Sequence, residues 1–265
     1  MRGSWTTPAE LVRSLLRARD LTITLARKDF FVRYRRAAFG VSWAVALPLL
    51  QALVLSVVLN RVSSIEVEHF AVFILSGVVA WSFFGVSVST GSTAIVDNAA
   101  LSSRIWFPRA VLPLSVCLAN LFSLAVSVLI LLGLATAVGV PPGLHTLLLV
   151  PAVALLLAVT ASLTLVLSAL HVSFRDTRYA VQAALFVWFY VTPVFYPLTL
   201  LSGGLRVLVT VNPVTGPVEL FHAAALGAQS IDTLAVASAC GWTVVLLAAA
   251  LALHCRGDRV FADLL

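Results

Sequence analysis

Apolar positions in this chain come in long unbroken runs, with neither the alternation of a half-buried strand nor the single stripe of a surface helix. Six runs stand out, at about Phe39 to Leu59, Phe70 to Thr90, Val111 to Val138, Leu147 to Leu170, Val181 to Leu201 and Leu234 to Leu253. Each reaches the roughly 20 apolar residues that a helix needs to cross a hydrocarbon core about 30 Å thick. The strands of a membrane barrel would alternate polar and apolar residues over about ten positions. Continuous runs therefore predict an all-α membrane protein with six transmembrane helices and little chain left for a separate soluble domain. Residues 1–37 contain no compact apolar stretch followed by a small-residue cleavage site, so the first run is expected to stay as a span.

The polar segments between the runs carry their own patterns. Thr7-Pro8-Ala9-Glu10 reads as a capping box with proline at the first helical position. Leu11, Val12, Leu15 and Leu16 then share one face, and Arg13, Arg17 and Arg19 can reach lipid headgroups. From Leu21 to Arg36, the basic residues Arg27, Lys28, Arg33, Arg35 and Arg36 interleave with Phe30, Phe31 and Tyr34. Beside a span this mixture predicts headgroup anchoring rather than nucleic-acid binding. The chain thus divides into an N-terminal region, 1–37, with an interfacial amphipathic helix, and a six-span domain, 38–265.

The loop at about 91–110 is expected to hold a short helix capped by Asp97 or Asn98 and running to about Arg104, after which Pro108 opens the third span. Leu101, Ile105 and Trp106 on such a helix would offer apolar knobs to a partner; a plain linker with interfacial aromatics is the alternative. The loop from His171 to Tyr179 is compact and charged, and its adjacent Arg175 and Asp176 each need a partner elsewhere. Between Thr192 and Leu220, the residues Pro193, Pro197, Gly203, Gly204, Pro213, Gly216 and Pro217 interrupt an apolar stretch. Non-helical backbone at membrane depth must be satisfied by protein or by a water-filled cavity. A re-entrant element of two short helices is therefore expected at about 192–220.

Charge supplies the orientation. Of 17 Lys and Arg residues, fifteen lie in the N-terminal region, the second and fourth loops and the tail, and only Arg61 and Arg206 lie in the alternate loops. The positive-inside rule then places both termini and the 91–110 and 171–180 loops in the cytoplasm. Hydrophobic residues make up 61% of the chain and charged residues 11%. In so apolar a chain, the net charge of +6 points to anionic lipid rather than to nucleic acid.

Reactive chemistry is sparse. The spans hold almost no ionisable groups, Glu219 and His222 near the re-entrant element coming closest, which argues against coupling to an ion gradient. Cys117, Cys240 and Cys255 have no paired or ligand spacing, so no metal or other cofactor is expected in this chain. There is no phosphate-binding loop, and Lys28, the only lysine, has no glycines around it. The chain is not expected to be an enzyme, and energy for uphill transport would come from another polypeptide.

Seven segments, in order and at matching spacing from about residue 20 onward, resemble one known family. Arg27-Lys28-Asp29, Arg33-Tyr34, Phe39-Gly40, Trp43 and Pro48-Leu49-Leu50-Gln51 are similar to the entry of type-2 ATP-binding-cassette permeases. Their closest likeness is to the branch exporting O-antigen, teichoic acid and related lipid-linked polysaccharides. Ser76-Gly77-Val78-Val79-Ala80-Trp81-Ser82-Phe83-Phe84 resembles the second span of that branch. Asn98-Ala99-Ala100-Leu101, Trp106-Phe107-Pro108-Arg109 and Pro113 resemble its signature loop. Phe174-Arg175-Asp176, Thr192-Pro193-Val194-Phe195-Tyr196-Pro197, Asn212-Pro213 and Phe261-Ala262-Asp263-Leu264-Leu265 complete the pattern. Departures are small: Ser102-Ser103-Arg104 replaces a Lys-bearing stretch, and Thr192 stands where Ser is common.

The resemblance implies a bacterial plasma-membrane subunit working as a homodimer with two separate ATPase subunits, which would bind the ATP and Mg. It implies ATPase coupling at Asn98, Leu101, Arg104 and Arg109, with a second contact at Phe174, Arg175 and Asp176. The N-terminal helix would form a collar where a lipid-linked glycan arrives. Pro193, Tyr196, Pro197, Asn212 and Pro213 would line an outer gate. A glycan path calls for aromatic faces and few fixed charges, and Trp43, Trp81, Phe83, Phe84, Trp188 and Tyr190, with Phe186 and Phe189, could supply them. For each of these, helix packing or lipid contact is the alternative, so only a subset is expected in a conduit. Two other functions remain: a type-2 exporter of a small amphiphile such as a drug or natural product, and a self-sufficient membrane enzyme or lipid-binding protein, which would need a polar cluster that the sequence does not display.

Overall fold

In the computed structural model the structure describes residues 7–34, 42–62, 68–102, 106–227 and 231–264. The elements in chain order are α1 (Pro8–Arg17), α2 (Arg19–Tyr34), α3 (Ser42–Val62), α4 (Phe70–Gly91), α5 (Ala94–Asp97), α6 (Ala99–Ser102) and α7 (Val111–Ala137). A 3₁₀ turn (Leu144–Leu148) leads into α8 (Leu149–Ser173), followed by α9 (Thr177–Val191), a second 3₁₀ turn (Leu198–Leu200), α10 (Gly203–Val211), α11 (Thr215–Leu226) and α12 (Thr233–Leu264). Every regular element among the described residues is helical, as the continuous apolar runs predict.

Four helical segments are long and apolar enough to cross a membrane: Phe70–Gly91, Val111–Ala137, Leu144–Ser173 and Thr233–Cys255. The apolar stretch Ala46–Arg61 of α3 is shorter, and α9 has 15 residues. The fifth apolar run therefore does not become one helix from Val181 to Leu201. It starts earlier, at Thr177, and stops at Val191. The stop has a local cause. Pro193 disfavours helical backbone in the residue before it, and Thr192 is extended, with φ −87° and ψ 138°.

The axis of the bundle is α4. Val72, Phe73, Ile74, Val78, Ala80 and Phe84 are fully buried, and α3, α7, α8, α9 and α11 all pack around this helix. Its close contact with the re-entrant segment depends on Gly77, where an added Cβ would run into the Val194 carbonyl oxygen and the His222 ring. A similar approach brings α11 onto α12: a Cβ on Gly216 would lie 2.6 Å from the Ala235 oxygen. Several buried hydroxyls of α8 donate to carbonyls of their own helix. Thr160 donates to Leu156 O (2.6 Å), Thr164 to Thr160 O (2.6 Å) and Ser168 to Leu165 O (3.0 Å).

A second apolar cluster lies at one end of the bundle. It joins Leu25 of α2, Ala94 and Ile95 of α5, Val111 and Leu112 at the start of α7, and Ala169 and Val172 at the end of α8, with Leu15 and Leu253 packed against it. The segments that carry most of the basic residues thus converge on a single face, called here the basic face. At the opposite, far face, α11 packs against the first 3₁₀ turn, α10 and the start of α12.

The N-terminal helices differ in how they sit. In α1, Thr7 caps the first turn, its hydroxyl accepting from Glu10 N–H at 3.3 Å, while Leu11 is buried and Val12 and Leu16 are exposed. The four apolar residues expected on one face are thus divided, Leu11 facing the bundle and Val12 and Leu16 facing outward. By contrast, α2 lies along α7. Leu25 and Ala26 are buried, and Phe30 meets Phe122 edge to face with ring centroids 4.6 Å apart.

Candidate functional site

One side of α4 is not closed over. There, α3 and α9 bound a groove of about 740 Å³ whose floor is made by α4 and α7. From α3 come Trp43, Leu47 and Gln51; from α4, Trp81, Ser82 and Phe83; from α7, Asn120, Ser123 and Ser127; and from α9, Gln182, Phe186, Phe189 and Tyr190. The two side walls are open outward: Leu47, Phe186 and Tyr190 are more than half exposed. Among the described residues, no side chain lining the groove is an acid, a lysine or an arginine.

Of the aromatic residues expected in a conduit, Trp43, Trp81, Phe83 and Tyr190 line this groove. Phe84 and Trp188 do not. Phe84 is fully buried, and Trp188 packs edge-on against it, with centroids 5.3 Å apart. The Trp188 indole N–H then donates to Asn212 Oδ1 at 2.9 Å. These two rings form the wall behind the groove. In front of them, edge and tilted contacts run from Trp81 to Phe189 (5.6 Å), from Phe189 to Tyr190 (5.3 Å) and Phe195 (5.7 Å), and from Phe195 to Tyr196 (5.2 Å). The groove and the re-entrant segment are therefore joined by one continuous row of rings.

The far-face element is held by a small number of polar bonds. Asn212 donates through Nδ2 to Thr192 Oγ1 (3.0 Å), and its Oδ1 accepts from Trp188 and from Val214 N–H (3.1 Å). The Tyr196 hydroxyl reaches Val191 O at 3.1 Å and Tyr190 O at 3.3 Å. His222, fully buried, lies between Pro193 O (3.0 Å from Nε2) and Ser76 Oγ (2.8 Å from Nδ1). A carbonyl can only accept, so Nε2 carries the proton. Pro193 is buried and Pro197 and Pro213 are half-buried. Pro197, with ψ 147°, precedes the second 3₁₀ turn, and Pro213 lies in the turn between α10 and α11.

The basic face presents the short helices α5 and α6. Thr93 donates to Asp97 Oδ2 at 2.6 Å, and Asn98 Nδ2 donates to Ala94 O at 2.9 Å, closing the turn between the two helices. Leu101 is half-buried and packs into the basic-face cluster, so it is not the projecting knob that its place in the loop suggests. Phe107 and Arg109 are also buried, while Trp106 is 55% exposed. Arg104 and Ile105 lie outside the described residues. Beyond α8, Phe174, Arg175 and Asp176 are all exposed, and neither Arg175 nor Asp176 has an ion pair among the described residues. Among the described residues of the two loops, the exposed groups include Asp97, Trp106, Phe174, Arg175, Asp176, Arg178 and Tyr179.

Residue-type reasoning passed over the amides and hydroxyls of the groove. Gln51 drew notice only as part of a segment, and Gln182, Asn120 and Ser127 drew none. Their signal is present in the sequence: amides and repeated serines inside otherwise apolar runs.

Apolar membrane-length helices, a groove lined by aromatic, amide and hydroxyl side chains and a small helical platform at the basic face fit the class of membrane permeases. The chain matches the ABC-2 type transporter family over residues 20–226 and belongs to that family. It is 32% identical over 255 residues to the O-antigen export system permease protein RfbA of Myxococcus xanthus, covering 96% of this chain and 98% of that one. It is 25% identical over 220 residues to the protein of the same description from Klebsiella pneumoniae, covering 81% and 85%.

Proposed function

We propose that this chain is the membrane subunit of an ATP-driven exporter that carries a lipid-linked polysaccharide from the cytoplasm across the bacterial plasma membrane. Two copies would form the conduit and two separate ATPase subunits would drive it, docking on the basic face and binding the ATP and Mg. In this reading α3 and α9 complete a set of six spans, and both termini are cytoplasmic. The observation that carries it is the groove: aromatic, uncharged and open on the side between α3 and α9. Aromatic faces pack against the C–H faces of sugar rings, and a wall without ions holds no segment of a long polymer too tightly. The open side is where a second copy would close the path. The O-antigen export relatives agree with a glycan cargo.

A small amphiphile is the second reading, favoured by one observation: about 740 Å³ is also the size of an ordinary small-molecule site. Mild-detergent purification of the tagged chain from its native membranes, with deletion of its gene in parallel, separates the readings. Co-purification of an ATP-binding-cassette ATPase together with loss of surface polysaccharide on deletion supports the proposal. An ATPase partner with unchanged surface polysaccharide favours the small amphiphile. An intact complex without any ATPase overturns both.

A further inference from the structure

We propose that Gln51 and Gln182, on opposite walls of the groove, form a neutral polar subsite that hydrogen-bonds the hydroxyls of a passing sugar. This inference rests on the reading of the chain as a glycan exporter.

The register of the helices brings a polar layer together. Gln51 stands nine residues from the basic-face end of α3, Ser82 nine from that end of α4, Asn120 nine from that end of α7, and Phe186 nine from that end of α9. A rise of 1.5 Å per residue puts all four roughly 13 Å into the bundle, and all four line the same groove. Gln182 lies one turn below Phe186 on the same helix. The layer therefore contains an amide from the α3 wall, a hydroxyl and an amide from the floor and an aromatic ring at the rim, with the Gln182 amide of the α9 wall about 6 Å nearer the basic face.

The two glutamines stand apart from the other polar groups nearby. Asn120 is buried and donates to Ser87 Oγ at 3.0 Å. Gln51 and Gln182 are exposed to the groove, and neither has a hydrogen bond within the described chain. An amide at membrane depth is costly unless its N–H and C=O groups find partners. In this proposal the partners come from what fills the groove. A primary amide both donates and accepts, as does a sugar hydroxyl, so it can bind hydroxyls of either orientation. Aromatic faces beside neutral amides therefore suit a run of varied, uncharged sugar units better than a phosphate or a carboxylate, which would call for a cation in the wall.

The test uses a strain deleted for this gene, complemented with the full-length wild-type chain or with the Gln51→Leu/Gln182→Leu double variant. Surface polysaccharide and the amount of chain in the membrane are measured together. The inference expects the double variant, at wild-type membrane level, to restore less than a tenth of the surface polysaccharide, and the Gln51→Asn/Gln182→Asn variant to recover at least half. Full restoration by the leucine variant overturns the subsite and leaves the export reading standing. Polysaccharide that persists in the uncomplemented deletion strain overturns the export reading and the subsite with it.

A second measurement covers a leucine variant that fails to reach the membrane. Gln51→Cys and Gln182→Cys, in a chain whose own three cysteines are replaced, are exposed to 2-aminoethyl methanethiosulfonate in native membranes. Reaction at least tenfold faster than that of Val245→Cys on α12 supports a water-filled, ligand-accessible layer. Unreactive thiols, or a disulfide between position 51 of one copy and position 182 of another, overturn it in favour of packing between copies.

Discussion

His222 and Ser76 lie 2.8 Å apart through Nδ1 and Oγ, which joins the re-entrant helix α11 to the middle of the bundle. The same ring is stacked on Phe73, with centroids 3.9 Å apart and planes within 11°, and its other nitrogen holds the Pro193 carbonyl. One side chain thus fixes both α11 and the Pro193 segment of the far-face element to α4. Replacing it with alanine leaves a buried carbonyl without its donor, at a cost of about 1–3 kcal/mol, and also removes the stack. His222→Ala is expected to lower the melting temperature of the detergent-solubilised protein by roughly 5 °C, and His222→Phe to recover only the stacking share. A melting temperature equal to wild type for His222→Ala would contradict this account.

Gly77→Ala acts on the same contact from the other side. The new methyl would meet backbone oxygen rather than a flexible side-chain end, so the helices must part, costing about 1–3 kcal/mol. Gly133→Ala, where nothing lies within 4 Å of the added atom, serves as the control and is expected to leave the melting temperature unchanged. Equal behaviour of the two variants would show that the packing at Gly77 is looser than described.

The basic face offers Trp106 and Phe174 as exposed aromatic side chains, 55% and 65% accessible. Trp106→Asp with Phe174→Asp is expected to abolish co-purification of the proposed ATPase partner while leaving the chain in the membrane, because both side chains are largely exposed. Leu101→Asp is expected instead to lower the amount of folded chain, since Leu101 packs inward. Quantifying chain and partner in the same pull-down distinguishes lost docking from lost folding.

Aromatic residues of the groove and of the wall behind it should part company in the same way. Phe186→Ala with Tyr190→Ala removes two exposed rings and is expected to cut export by about tenfold at normal membrane abundance, a loss worth roughly 1.4 kcal/mol. Phe84→Ala opens a cavity beneath Trp81 and Trp188 and is expected to cost about 3–5 kcal/mol of stability. Export corrected for abundance is the deciding quantity.

What the sequence disclosed and what it withheld follow from the same property. Long apolar runs announce helices, and the distribution of arginine sorts their connections into two sets, one of which the structure gathers at a single face. Ends of elements were less legible. Hydropathy carries the fifth run on to Leu201, whereas the backbone turns at Thr192 because of the proline after it. The facing of residues within a run was hidden altogether. A helix such as α4 is apolar on every side, so nothing in its sequence separates Phe83, in the groove, from Phe84, behind it. The same holds for Tyr190 and Trp188, two positions apart on α9. Leu101 misled for the opposite reason: a short loop suggests exposure, and only the convergence of α2, α5, α7 and α8 gives that side chain somewhere to go.

A groove bounded by α3 and α9 but unroofed between them is a slot, and a slot has no ends through which anything must be threaded. Whatever lies in it can arrive broadside, along its whole length at once, with one end still resting in the lipid beside the helix walls. For a chain-like cargo tied to a greasy tail, that removes the need to find a tip and feed it through an eyelet. If two copies face one another as proposed, loading would need only that they draw apart and close again over a strand already laid between them.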